Sequence, residues 1–286
     1  MQELSSCVEM ADPSRGVLTR ADAVRGHLGQ LRAHYRLVVL VSLGAVAAVL
    51  GGVTLGSALL APHPSPWFPS LYTALPPAAV SAPGPGIYLP MPIIQQALPL
   101  DCEVAALQAA LASKGVRVTQ RQLFAELPRD ARPPVIGSDG LPAQWGDPYQ
   151  AFVGDVHGEE GNFTGYGVYY PPIAAAAMQF GVRAVGHTGW TVSAIEEQIR
   201  RGNPVVVWVD SSFRVRQLRH WKAWDGTDVA YDIGEHAVAV MGFDPTAGTI
   251  TVVDVLRGQL HTFSTQQFAS VLTTFGGMGV ALSSLR

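Results

Sequence analysis

A long stretch without charged side chains divides this chain into unequal parts. No Asp, Glu, Lys or Arg occurs from Leu37 to Leu100, and the first part of that stretch, Leu37 to Ala61, is mostly apolar. Such a run is slightly longer than the roughly 20 residues that cross a bilayer core. The stretch also explains why only 14% of the 286 residues are charged, against about 25% in ordinary soluble domains. We therefore expect one transmembrane helix over residues 37–61.

The residues on either side of this run predict its orientation. Residues 1–36 contain five arginines, whereas no charged residue follows the run before Asp101. By the positive-inside rule, residues 1–36 form a cytoplasmic tail and the rest of the chain is extracytoplasmic, anchored in the cell membrane. A buried helix of a soluble protein and a cleaved signal peptide are the alternatives, and cleavage would release a secreted form. Signal peptides typically have a shorter apolar core, which favours the uncleaved anchor.

The rest of the chain divides into a linker and one domain. Residues 62–88 are rich in Pro, Ala, Ser and Gly, a composition typical of an extended spacer. Residues 89–286 have the length of a single domain, and helical patterns precede strand patterns within them. This order predicts an α+β fold with N-terminal helices packed on a mostly antiparallel sheet. Residues 128–172, rich in Pro, Gly and aromatic residues, predict either an ordered flap beside a cleft or a loop packed by its own side chains.

Local signals predict several elements of that domain. They are a helix from the Thr119–Gln122 capping box to Leu127, a helix over Ile173–Phe180, a helix capped by Ser193 and Glu196, a buried strand over Val205–Val209, and a helix capped by Ser264 and Gln267.

The first candidate for chemistry is Cys102, at the start of a predicted helix. Asp101 is a suitable N-cap, and apolar residues then repeat at helical spacing up to Gly115. A thiol at a helix N-terminus is favoured as a thiolate nucleophile. The charges of Asp101 and Glu103 oppose this unless both side chains face solvent, so activation needs a histidine from elsewhere. Without that histidine, Cys102 is better explained as a small buried apolar residue.

A predicted hairpin far along the chain supplies the histidine. His236 opens an apolar strand, and Asp254 lies near the end of the next strand. The turn over residues 244–248 brings Asp254 back beside His236. Asp244 is too distant, about 26 Å from His236 at roughly 3.3 Å per residue. Alone, His236 reads as a core histidine and Asp254 as a turn-capping carboxylate. With Cys102 they indicate a nucleophile, a general base and an orienting carboxylate.

The order of these residues resembles family 39 of the cysteine peptidases, papain-like enzymes whose founding members process double-glycine leader peptides of bacteriocins. The resemblance rests on Gln96 six residues before Cys102, on the Glu-His-Ala-Val-Ala-Val-Met-Gly-Phe-Asp sequence at 235–244, and on Asp254 in the following strand. It extends over about residues 89–285. Trp-Gly-Asp-Pro at 145–148 and Gly-Tyr-Gly-Val-Tyr at 165–169 make it most similar to the stand-alone C39-like branch.

The resemblance implies a papain-like fold and cysteine peptidase activity. By position, Cys102 matches the nucleophile, His236 the general base and acid, Asp254 the residue that orients the histidine, and Gln96 the oxyanion-hole donor. Gln95 is chemically equivalent to Gln96, so only the family spacing selects Gln96.

The sequence gives no support to several ligand classes. A net charge of −3 without a basic run offers no electrostatic reason for nucleic acid binding. No Gly-Lys pair occurs, so a P-loop and its nucleotide are not expected. The acidic residues near 139–159 do not fit an EF-hand loop, and no metal or cofactor is expected.

The expected partner is a peptide or protein substrate at the cell envelope. The family's leader-peptide substrate is not carried over, because those peptidase domains face the cytoplasm. Two other functions remain open: another thiol acyl transfer, such as amide hydrolysis in cell-wall peptides, and a catalytically idle papain-like module that binds peptides.

Overall fold

The computed structural model describes residues 86–285. The predicted tail (1–36), the predicted transmembrane helix (37–61) and most of the linker lie outside these residues. Across the described range, no helix combines the length and apolar character that a membrane crossing requires. The first strand, Ile87–Tyr88, falls in the stretch predicted as linker and pairs with Phe243 and Gly242.

The described chain forms five α-helices and thirteen strands. The helices are α1 (Cys102–Ser113), α2 (Gln120–Ala125), α3 (Tyr170–Gln179), α4 (Val192–Arg200) and α5 (Thr265–Leu272). The strands are β1 (Ile87–Tyr88), β2 (Arg129–Asp130), β3 (Val135–Ile136), β4 (Pro142–Trp145), β5 (Phe152–Val153), β6 (Val182–His187), β7 (Val205–Asp210), β8 (Arg219–Ala223), β9 (Asp228–Tyr231), β10 (Glu235–Asp244), β11 (Thr249–Asp254), β12 (Gln259–Ser264) and β13 (Gly279–Ser284).

The main sheet has the strand order β12-β11-β10-β7-β13-β6, with β1 paired to β10. All of its pairs are antiparallel, which confirms the predicted α+β class and antiparallel sheet. Its central strands are buried on both faces because helices cover both sides. Along β7, Val206 and Trp208 join the core that contains α1 and α3, whereas Val205, Val207 and Val209 join the core that contains α4 and α5. This alternation fixes which face of the sheet carries α1.

The helix predictions need three corrections. The helix predicted to reach Leu127 ends at Ala125. The helix predicted from Ile173 begins at Tyr170, because prolines are well accommodated in a first turn. Capping of α4 by Ser193 and Glu196 is wrong, since Thr191 is the N-cap and its side chain accepts a hydrogen bond from the Ala194 N–H. The Thr119 and Ser264 capping boxes are confirmed, as is the buried strand from Val205.

Residues 128–172 are packed partly by their own side chains, as one of the two alternatives predicts, but they also form short strands. They contribute β3 and β4 to a second sheet of order β3-β4-β8-β9, and β2 pairs in parallel with β5. Four of their seven aromatic side chains are buried and belong to the same core as α1: Trp145, Phe152, Tyr166 and Tyr169. Tyr166 packs edge-to-face on Trp221 and Tyr231 of the second sheet. The segment is therefore an integral part of the domain and packs in the same core as α1.

Candidate active site

Cys102 is the first residue of α1, as the sequence predicts. Its side chain is buried, and its Sγ accepts a hydrogen bond of 3.4 Å from the Ala237 N–H of β10. Asp101 occupies the N-cap position, but its side chain does not cap the helix. It accepts a hydrogen bond from the Leu98 N–H instead. Asp101 therefore does not cap the first backbone N–H groups of α1 at the sulfur end of the helix.

The hairpin of β10 and β11 brings His236 and Asp254 together. His236 Nε2 lies 3.1 Å from Asp254 Oδ1, and both side chains are buried. Ala237 follows His236 directly. Two adjacent residues of β10 thus contact the sulfur and carry the imidazole. Asp244, set aside on distance, accepts hydrogen bonds from the Thr246 and Ala247 N–H groups and caps the turn.

Arg257 completes this group, and the sequence reasoning missed it. Its Nη1 lies 2.8 Å from Asp254 Oδ2, and its Nη2 donates to the Ser211 carbonyl. Burial alone would raise the pKa of Asp254, but the hydrogen bonds from His236 and Arg257 outweigh it and lower that pKa to about 2. An arginine three residues beyond a candidate orienting carboxylate, just past the strand end, is the signal that could have indicated it.

Gln96 lies near the site but its amide is engaged elsewhere. Its Nε2 donates to the carbonyls of Leu98 and Pro99, at 2.9 and 2.8 Å. Its Oε1 is buried and has no hydrogen-bond partner among residues 86–285. The Gln96 N–H donates to the carbonyl of Val255, which fixes the loop beside Asp254. The oxyanion-hole role of Gln96 therefore remains a prediction.

Three glutamates lie near Cys102. Glu103 and Glu235 are buried, and each presents a carboxylate oxygen within 4.8 Å of the other and of Cys102 Sγ. Glu160, from the middle segment, accepts a 2.6 Å hydrogen bond from the Gly234 N–H. The sequence reasoning weighed Glu103 only as a charge that could face solvent, and it missed Glu160 and Glu235. Glu103 follows Cys102 in the sequence and Glu235 precedes His236, so the positions of these two glutamates were a visible signal.

These glutamates have raised pKa values. Burial raises the pKa of Glu103 to about 7, although the hydrogen bond that Glu103 accepts from the Val168 N–H partly opposes this rise. Burial raises the pKa of Glu160 to about 8. Burial and the charges of Glu103 and Glu160 raise the pKa of Glu235 well above its usual value. Burial, followed by the charges of Glu103 and Glu235, also raises the pKa of the Cys102 thiol.

The chain is similar to known proteins over this domain. The family model described as "Peptidase_C39 like family" matches residues 88–280. The uncharacterized protein YvpB of Bacillus subtilis (strain 168) is 37% identical over 146 residues, which are 50% of this chain and 54% of YvpB. The match thus spans about half the length of that curated relative.

One solved structure has a similar fold. The crystal structure described as a C39-like peptidase from Bacillus anthracis has a TM-score of 0.59 and 24% identity, covering 70% of this chain and 98% of that one. The peptidase domain of Streptococcus ComA has a TM-score of 0.40 and 13% identity, covering 67% and 97%, a similarity too weak to support a conclusion. The first comparison agrees with the papain-like fold expected from the sequence.

Proposed function

Because this chain belongs to the Peptidase_C39 like family, we propose that it is a cysteine peptidase that uses Cys102, His236 and Asp254. The observation that carries the proposal is the buried hydrogen bond of 3.1 Å between His236 Nε2 and Asp254 Oδ1, formed on the strand that contacts the sulfur. In the tautomer with the proton on Nε2, this bond leaves Nδ1 as the base that accepts the thiol proton.

The thiolate then attacks the carbonyl carbon of a peptide bond and forms a tetrahedral intermediate. The backbone N–H of Cys102 at the start of α1 stabilises the oxyanion. Gln96 serves as a second donor after its amide turns away from the Leu98 and Pro99 carbonyls. His236 returns the proton to the leaving amine, and water hydrolyses the acyl-enzyme.

A groove next to His236 supports the binding of an extended peptide. It has a volume of about 610 Å³ and is lined in part by Phe213, Val215 and Phe263. The Phe213 ring centre lies 6.3 Å from that of His236. Polar residues such as Ser212 and Gln266 also line the groove, so it suits a hydrophobic substrate side chain together with hydrogen bonds to the peptide.

We place the catalytic domain outside the cell membrane, anchored by the helix predicted over residues 37–61. The charge distribution of residues 1–100 supports this location. The full-length protein would then be recovered with membranes, and protease added to intact cells would remove the domain. Protection of the domain in intact cells would contradict this placement.

One observation favours a second function, a peptide-binding module without activity. The pKa of the buried Cys102 thiol is raised, and a thiol that stays protonated is a poor nucleophile. The pH dependence of alkylation separates the two functions.

The experiment is the alkylation of Cys102 by iodoacetamide in the full-length protein, with peptide-library and cell-wall-peptide digestion followed by mass spectrometry. A peptidase should be alkylated rapidly below pH 7, lose that reactivity in His236→Ala, and lose cleavage in Cys102→Ala. The alternative result is slow alkylation that rises only near the ordinary thiol pKa of about 8.5 and does not change in His236→Ala. This result would favour the peptide-binding module without activity.

A further inference from the structure

The mechanism makes no use of the carboxylate groups that are nearest to the sulfur. Glu103 follows Cys102 on α1, Glu235 precedes His236 on β10, and Glu160 comes from the middle segment. Cys102 Sγ lies 3.5 Å from Glu103 Oε2. One of these glutamates is thus within reach of the reacting atom itself.

Close packing holds Glu103 in this position. Its Oε1 accepts a 2.6 Å hydrogen bond from the Val168 N–H, which leaves Oε2 directed toward the sulfur. A Cβ atom on Gly167 would lie 2.5 Å from Glu103 Oε1 and 2.9 Å from Glu235 Oε2. A side chain at position 167 would therefore displace both carboxyl groups from their present positions.

No cation compensates the pair within the part of the chain that the structure describes. Arg216 pairs with Asp210 and Asp232, and Arg257 pairs with Asp254. Glu235 Oε1 is buried without a hydrogen-bond partner among residues 86–285. The titratable groups that act on the pair are acidic or neutral: Asp101, Cys102, Glu160, Tyr166 and Tyr169.

Two buried carboxylates this close to each other and to a thiolate cannot all be ionised, because each charge raises the energy of the others in a desolvated site. The raised pKa values of Glu103 and Glu235 agree with that conclusion. At least one proton stays on the pair at neutral pH.

We propose that Glu103 is a further catalytic residue, which acts as a neutral carboxylic acid and donates a hydrogen bond from Oε2 to the Cys102 thiolate. The inference rests on the proposed peptidase function. The thiol proton goes to His236, while Glu103 keeps its own proton during this transfer at pH values below about 7. The thiolate then receives two hydrogen bonds, from Glu103 and from the Ala237 N–H.

Two substitutions of the same position test this. In Glu103→Gln, Oε1 still accepts from Val168 and Nε2 still donates to sulfur, but the group cannot ionise. Glu103→Leu has a similar volume and neither donor nor acceptor. The readout is the iodoacetamide alkylation rate of the full-length protein between pH 5 and 9.

At pH 6 we expect Glu103→Gln to react at nearly the wild-type rate. Glu103→Leu should react about tenfold more slowly, since the loss of one donor raises the thiol pKa by about one unit. The ratio of the Glu103→Gln rate to the wild-type rate should increase as the pH rises through about 7, where Glu103 loses its proton. Equal rates for the Gln and Leu variants, or a ratio independent of pH, would overturn the proposal.

Two further measurements keep the test decisive. If Glu103→Leu does not fold, infrared difference spectra at pH 6 should show a protonated carboxyl band that disappears in Glu103→Gln, and its absence in the wild type would refute the proposal.

A bound metal ion would equally refute the proposal. The purified protein would then contain stoichiometric divalent metal that compensates the charges of the glutamates, and EDTA would increase the alkylation rate of Cys102. Reactivity unaffected by His236→Ala would contradict the peptidase function separately.

Discussion

Two buried carboxylate regions belong to this site, and their pKa values are shifted in opposite directions. Asp254 is paired with His236 and Arg257, and its pKa is lowered to about 2. Glu103 has no cationic partner among the described residues, and its pKa is raised to about 7. Both side chains are fully buried. Burial alone therefore does not decide ionisation, and a neighbouring cation reverses its effect.

The difference has a chemical consequence for Cys102. The Asp254 region keeps a fixed negative charge behind the imidazole, which favours the imidazolium formed when the thiol loses its proton. The glutamate region would oppose the thiolate if it were ionised. A single site can perform the chemistry only if one region stays charged and the other stays neutral.

Neutralising Asp254 should have the largest effect. Asp254→Asn keeps the shape but removes the charge and permits the wrong imidazole tautomer, so kcat/KM should fall on the order of 10³-fold or more. Asp244→Asn is the matched control, because Asp244 lies on the same hairpin and only caps its turn. Cleavage of the best library peptide is the assay. A loss below about tenfold would show that the charge of Asp254 is not needed.

Gln96 is an uncharged side chain that can be compared with the two carboxylate regions. Like Glu235 Oε1, its buried Oε1 has no hydrogen-bond partner among residues 86–285. If its amide turns to bind the oxyanion, Gln96→Ala should lower kcat by about 10²-fold with little change in KM. Gln95→Ala is the control, because the exposed Gln95 amide contacts only the Leu256 carbonyl. Equal effects in the two variants would assign the oxyanion hole to the backbone alone.

Arg257 tests whether the cation makes the difference between the two regions. Arg257→Met should raise the pKa of Asp254 toward its usual value, so the acid limb of the activity profile moves to higher pH and kcat/KM falls about tenfold. Arg201→Met, which removes an exposed pair with Glu197 on α4, should leave both unchanged. An unshifted acid limb would mean that His236 alone fixes the charge of Asp254.

The sequence predicts the Asp254 region well because local patterns determine it. A continuous apolar strand, a turn with Asp and Pro, and a shorter second strand form the hairpin that pairs His236 with Asp254. The start of α1 at Cys102 follows from helical periodicity. Only the long side chain of Arg257, which reaches back from beyond the strand, escaped this reasoning.

The glutamate region could not be predicted in the same way. It depends on residues 160–168, whose approach to α1 is set by aromatic packing in a second sheet rather than by any periodic pattern. The same packing explains why the flap and loop predictions are both incomplete. The glycines and prolines of the segment suggest a loop, whereas Trp145 and Tyr166 pack into the core. Where Glu103 points depends on the Val168 N–H, a contact between distant parts of the sequence.

The smallest expected effect concerns stability, and it separates the two regions by the sign of their pH dependence. Glu160 has a pKa raised from 4.5 to about 8, so the folded state binds a proton that the unfolded state has lost. Its contribution to the unfolding free energy is therefore present at acidic pH and declines as the pH rises from about 4.5 to 8, by on the order of 1–3 kcal/mol because Glu160 is partly exposed. Asp254 has the opposite sign, since its contribution is lost below about pH 4. Denaturant unfolding at pH 5 and pH 8 should show this decline in the unfolding free energy of the wild type and a smaller decline in Glu160→Gln. The variant Glu159→Gln, at an exposed neighbouring position, should behave as the wild type. An equal decline in all three proteins would mean that Glu160 is ionised in the folded protein.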